Sequence, residues 1–140
     1  MEIEIREMTS ADYDRVYTLW QSTEGVGLSS ADSRDVICAY LQRNPGLCFV
    51  AAAGDRLVGA VICGHDGRRG TISHLAVDPG FRQQGIGSRL TAACEAGLAQ
   101  AGIERCHIYV FAANQNARQF WKARGWFERP ELVLMSKDMR

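Results

Sequence analysis

The chain has 140 residues, 46% of them apolar, with 16 basic and 16 acidic side chains. That length suits one domain, over residues 1–140, burying roughly two-thirds of its unfolded surface, and the zero formal charge supplies no footprint for nucleic acid or an anionic membrane. Cys38, Cys48, Cys63, Cys94 and Cys106 lack CxxC spacing, and no signal-like or membrane-length apolar run accompanies them, so reduced thiols in a cytoplasm are expected, without disulfides or a metal site.

Residues 2–8 alternate Ile3 and Ile5 with Glu2, Glu4 and Arg6, which predicts a half-exposed strand. Thr9 or Ser10 with Asp12 then reads as a helix cap, and Tyr13, Val16, Tyr17, Leu19 and Trp20 recur at helical spacing. Gly25 and Gly27 mark residues 21–30 as a loop, and a second helix is expected from about Ala31 to the stop at Asn44, Pro45 and Gly46. Residues 48–53 and 57–63 predict two strands joined at Gly54 and Asp55. A turn over 64–70 leads to a third, 71–77, rich in Thr, Ile and Val.

Asp78, Pro79 and Gly80 end that strand, because proline cannot donate to a ladder. Arg82, Gln83, Gln84, Gly85, Ile86 and Gly87 come next. From Ile86 the apolar residues Leu90, Ala93, Cys94, Leu98 and Ala101 recur every three or four positions, up to a stop at Gly102. Residues 106–111 predict another strand, 114–123 a short helix closed by Gly125, and 126–128 and 132–137 two last strands parted by Pro130. The class is α/β: a mixed, mostly antiparallel sheet of six to seven strands with about four helices on both faces.

The strand, glycine turn and helix over 70–101 form a unit with a definite physical use. Helix N-termini expose N–H groups without internal partners, the dipole adds positive charge there, and glycines let an anion approach closely. Two familiar phosphate cradles fail on the letters. Ile86 stands where a P-loop needs lysine after Gly80 and Gly85, and Leu90 stands where a dinucleotide fingerprint needs a third glycine.

What remains, Arg82-x-x-Gly85-x-Gly87 after a strand ending Leu75-Ala76-Val77-Asp78-Pro79, resembles the pyrophosphate-binding motif of the GNAT superfamily of acyl-CoA-dependent N-acyltransferases. A second stretch, Asn114, Ala117, Phe120, Trp121, Gly125 and Trp126, is similar to that superfamily's later motif, and the element order matches over nearly the whole chain. The resemblance implies a splayed GNAT sheet and a cytoplasmic N-acetyltransferase. Such an enzyme moves an acetyl group from acetyl-CoA, its cosubstrate, to a primary amine by direct attack. The backbone of Leu75, Ala76 and Val77 would pair with the pantetheine arm, and the amides of Arg82, Gln83, Gln84, Gly85, Ile86, Gly87 and Ser88 would hold the pyrophosphate. Asn114, Ala117, Phe120 and Trp121 would line the other flank.

The catalytic groups are read less directly. Trp121 stands where the family places a tyrosine acid, and an indole N–H delivers no proton; Tyr109, expected on the fifth strand, is an alternative acid. Glu24 lies in the loop where the family builds its acceptor pocket. His74 is a candidate base, although strand alternation sets it on the face opposite Thr71, Leu75 and Val77. The acceptor is a small-molecule or peptide amine, and a homodimer is compatible with such folds. Two other readings stay open: a CoA-binding module without transferase activity, and a transferase of longer acyl groups.

Overall fold

The computed structural model describes residues 2–140, and the chain divides into two compact units, Met1–Tyr109 and Val110–Arg140. In the first, the elements run β1 (Glu4–Glu7), α1 (Tyr13–Gln21), α2 (Arg34–Arg43), β2 (Phe49–Ala53), β3 (Arg56–His65), β4 (Gly70–Val77), α3 (Ile86–Gln100) and β5 (Cys106–Ile108). Short 3-10 turns at Ser10–Asp12, Ser30–Asp32 and Pro79–Phe81 precede the three helices. The second unit carries α4 (Gln115–Ala123).

The sheet order is β1-β2-β3-β4-β5. Its first three pairings are antiparallel and β4–β5 is parallel. On one face, Val16, Leu19 and Trp20 of α1 pack with Val50, Ala52, Ala60, Ile62 and Ala76, all buried. On the other, Ile86, Leu90, Cys94 and Leu98 form the buried stripe of α3, at the i, i+4 spacing that sets one helix face against a sheet. Gly59 makes that contact close. A Cβ there would lie 3.0 Å from Leu90 Cδ1 and 3.2 Å from Ile86 Cγ2.

Two irregularities break the regular sheet. β5 pairs with β4 only at Gly70, Thr71 and Ile72, so from Ser73 to Val77 the β5-side edge of β4 has no strand partner among the described residues. The sheet is splayed there. The second is a bulge between β3 and β4. Ile62 pairs with Ser73 and Ala60 with Ala76, so two residues, His74 and Leu75, stand opposite Val61 alone.

The expected six to seven strands reduce to five among the described residues. Residues 126–128 and 132–137, expected as two last strands, have no regular structure. Glu128 is drawn onto α4, receiving Arg118 Nε at 2.7 Å and Lys122 Nζ at 3.2 Å. Leu132 N donates to Arg129 O at 3.1 Å, closing a turn around Pro130. A strand exists only through a ladder partner, and these local bonds take its place. Among the described residues no helix is long and apolar enough to cross a membrane.

Candidate active site

The bulge on β4 overturns the alternation argument about His74. Ser73 and Ala76, three residues apart, pair with Ile62 and Ala60 on the α1-covered face, which strict alternation forbids. His74 absorbs the extra residue with a left-handed backbone, φ +54°, a conformation that only a few per cent of non-glycine residues adopt, with asparagine, aspartate and histidine enriched among them. Its carbonyl accepts the Trp20 indole N–H at 3.0 Å. The two rings meet edge to face at 5.0 Å.

The imidazole is thereby turned toward the α1–α2 side, where Nε2 meets Asp32 Oδ1 at 2.8 Å. Asp32 is buried, 5% exposed, in the 3-10 turn before α2. Its other oxygen accepts Ser29 N at 3.0 Å, closing a capping box. Tyr13 Oη donates to the Asp32 carbonyl at 2.6 Å, fixing the turn against α1. A carboxylate on Nε2 makes that nitrogen the N–H of the neutral ring and leaves the lone pair on Nδ1. The pair borders a cavity of about 340 Å³, lined also by Gly27, Ser29, Val36, Ile37, Tyr40 and Ile62.

The other two catalytic candidates are not brought to it. Glu24 is exposed in the loop after α1 and does not line the cavity, although Gly27 and Ser29 of that loop do. Tyr109, expected on the fifth strand, falls one residue past β5 and is 68% exposed: the parallel pairing ends at Ile108. Sequence reading missed Asp32. The Ser29-Ser30-Ala31-Asp32 pattern is a legible capping box, but nothing local to it indicates His74.

The loop from β4 to α3 has the form of an anion cradle. Asp78 closes its start, accepting Gly80 N at 2.9 Å and Arg56 Nη2 at 2.8 Å; the Gly80 amide, then Arg56, hold its carboxyl below the usual range. Arg82 Nε donates to Val77 O at 3.2 Å, anchoring the guanidinium where the strand ends. Gln83 and Gly85 take left-handed backbones, φ +62° and +78°. No side chain caps α3 at Gly85, and the helical ladder opens with Arg89 N on Gly85 O at 3.0 Å. A Cβ at Gly85 would meet nothing within 4 Å, so the helix start is open there, and its N–H groups could hold an anion such as a diphosphate.

In the second unit, Asn114 caps α4, its Oδ1 accepting Ala117 N at 3.0 Å. Trp121 is buried and meets Phe120 and Trp126 edge to face at 5.2 and 5.0 Å. It serves as packing within that unit. Among the cysteines, burial pushes the Cys48 and Cys106 thiols up to about 12. Hydrogen bonding with Cys63, then burial, pushes Cys94 up as well. These three stay protonated and are poor nucleophiles. All five cysteines are free, and no group of three or more His, Cys, Asp or Glu among the described residues could hold a metal.

Comparison with known proteins agrees with this geometry. The model of the acetyltransferase (GNAT) family matches residues 13–126. An acetyltransferase of Pectobacterium atrosepticum is 32% identical over 108 residues, covering 77% of this chain and 76% of that protein. The solved structure of AAC(6')-Iy, in complex with the bisubstrate analogue CoA-S-monomethyl-acetylneamine, superposes with a TM-score of 0.79 at 20% identity over 99% of each chain. PaiA N-acetyltransferase from Thermoplasma acidophilum, in complex with coenzyme A, gives 0.75 at 20% identity over 89% of each. With a family match running through most of its length, the chain belongs to the acetyltransferase (GNAT) family and is an acyl-CoA-dependent N-acetyltransferase with acetyl-CoA as cosubstrate.

Proposed function

We propose that the protein acetylates a primary amine by direct attack on the thioester, and that His74 takes the amine's proton. The observation that carries this reading is the 2.8 Å contact between His74 Nε2 and Asp32 Oδ1 at the border of a cavity. Acetyl-CoA supplies the activated acyl group. The open β4 edge from Ser73 to Val77 favours an extended arm running along Leu75, Ala76 and Val77, as an added strand. The amides of residues 82–88 and the Arg82 guanidinium fit a diphosphate at the start of α3. For Asn114, Ala117, Phe120 and Trp121 of the second unit a role in cofactor binding rests on the motif resemblance alone, and residues 1–140 are taken as one domain.

An amine attacks only when unprotonated. Asp32 fixes the ring tautomer and stabilises the imidazolium that forms when Nδ1 accepts the proton. The cost of desolvating Asp32 is offset by its hydrogen bonds from Ser29 N and the imidazole. The protonated cysteines support direct attack over an acyl-cysteine intermediate, and five free thiols support a reducing, cytoplasmic setting. The test is thiol release from acetyl-CoA with a panel of amines, for wild type and His74→Gln. The expected result is turnover lowered about 10²–10⁴-fold in the variant, with acetyl-CoA affinity by calorimetry unchanged. Equal turnover across pH 6–9 would remove His74 from the chemistry.

A further inference from the structure

The cavity beside His74 contains one carboxylate, and both of its oxygens are already engaged. Asp32 Oδ1 meets the imidazole and Oδ2 accepts the Ser29 amide, and no other acidic side chain lines the space. The remaining wall is uncharged and largely apolar: Val36 and Ile37 from α2, Ile62 from β3 and the Tyr40 side chain, with Ser29 and Ser73 as its neutral polar members. Burial pushes the Tyr40 phenol well above its ordinary value, so it stays neutral and offers no charge to a cation. At about 340 Å³, the cavity lies at the small end of the range of roughly 300–1,000 Å³ for small-molecule pockets.

From this composition we infer that the acceptor is a monoamine with a compact, uncharged apolar body, and that a second cationic amine on the acceptor is selected against. The inference rests on the reading of His74 as the proton acceptor, since that reading places the reacting nitrogen at this cavity. The reacting amine enters neutral and gives its proton to the imidazole. A second ammonium would remain charged in a wall without a free carboxylate, losing its water without a partner. An apolar body gains instead by covering Val36, Ile37 and Ile62. Specificity of this kind is a difference between two acceptors, and the missing counter-charge supplies the repulsive side of it.

The experiment compares matched acceptors at saturating acetyl-CoA: isoamylamine and 2-phenylethylamine against 1,5-diaminopentane, spermidine and neamine. Thiol release is followed and the acetylated product confirmed by mass spectrometry. We expect kcat/KM for the monoamines to exceed that for the di- and polyamines by at least about tenfold, the scale of discrimination that a small change in pocket chemistry provides. Val36→Asp, which adds a carboxylate at a half-exposed position of α2, is expected to move the ratio toward 1,5-diaminopentane by a similar factor. Diamines or neamine turned over as well as or better than monoamines by the wild-type protein would overturn the inference while leaving acetyl transfer standing. A Val36→Asp ratio that does not move would overturn the assignment of this cavity to the acceptor. A His74→Gln variant that acetylates isoamylamine as fast as wild type would overturn the reading of His74 and this inference together.

Discussion

A non-glycine residue in the left-handed region costs about 1–2 kcal/mol of backbone energy, and His74 at φ +54° is held there by three contacts from two elements, α1 and the turn before α2. Trp20 binds its carbonyl, the indole packs on its ring, and Asp32 takes its Nε2. Strain held in this way sets a side chain at a defined place. Asp32→Asn keeps the shape of the turn but offers the ring a different hydrogen-bond partner. Turnover is expected to fall about 10²-fold with KM for acetyl-CoA unchanged and an altered pH–rate profile, the readout that separates a positioning role from a structural one. At the other end of the strand, Gly85→Asp puts a charged side chain on a left-handed residue of the cradle. It should abolish acetyl-CoA binding by calorimetry while costing only about 1–2 kcal/mol of stability; retained affinity would refute the diphosphate assignment.

Helices α1 and α3 clamp the sheet from its two faces, and the closeness of α3 depends on small residues. A Cβ on Gly97 would lie 2.7 Å from Leu47 Cδ2 and 2.9 Å from the Gly46 carbonyl, and the backbone neighbour cannot yield cheaply. Gly97→Val is therefore expected to destabilise by about 1–3 kcal/mol, read as a lowered urea midpoint at constant m-value. These helices were legible because their apolar residues repeat every three or four positions, and β2 to β4 because β-branched runs are bounded by glycine turns. The β4 bulge was not legible: nothing in Thr71 to Val77 marks where β3 will fall out of register, and that register aims His74. Asp32 escaped notice for a related reason, since its partner lies 42 residues away. The terminal segment failed in the opposite direction. Leu132 to Met135 form an apolar run of strand length, yet such a run does not provide a ladder partner, and Glu128 is held on α4 with its carboxyl drawn down to about 2 by Arg118 and then Lys122.

At the scale of the whole molecule, acid stability turns on charges that the first unit orders. Asp12, 2% exposed, receives Arg6 through both oxygens at 2.9 Å and the Thr9 amide at 2.9 Å. The Arg6 hydrogen bond first, and then the Thr9 amide, hold its carboxyl below the usual range against the opposing effect of burial. A carboxyl depressed in the folded state adds stability that is complete above its unfolded value near about 3.9; the gain is lost as pH falls through the lower folded value. Thermal melts should accordingly fall more steeply with acid below about pH 4 in wild type than in Asp12→Asn. The variant should itself be less stable at pH 7 by about 2 kcal/mol, the cost of a cap and a charged hydrogen bond.

The splay between β4 and β5 also has a bearing on how the protein keeps. Five successive residues, Ser73 to Val77, have no strand partner on the β5 side among the described residues. The His74 and Val77 carbonyls accept from Trp20 and Arg82, yet such an edge is a template for an extended chain that reaches it. With the cosubstrate arm on this edge, as proposed, it and a neighbouring polypeptide would compete for one groove, and the reactant would double as a protective agent. Coenzyme A at about 100 times its dissociation constant adds about 2.7 kcal/mol by mass action alone. That shift lowers the unfolded population about a hundredfold; slowing of turbidity by more than this factor, at temperatures well below the melt, is the expected sign of a covered edge. In a cell, the supply of acyl-CoA would thereby set the working lifetime of the enzyme as well as its rate.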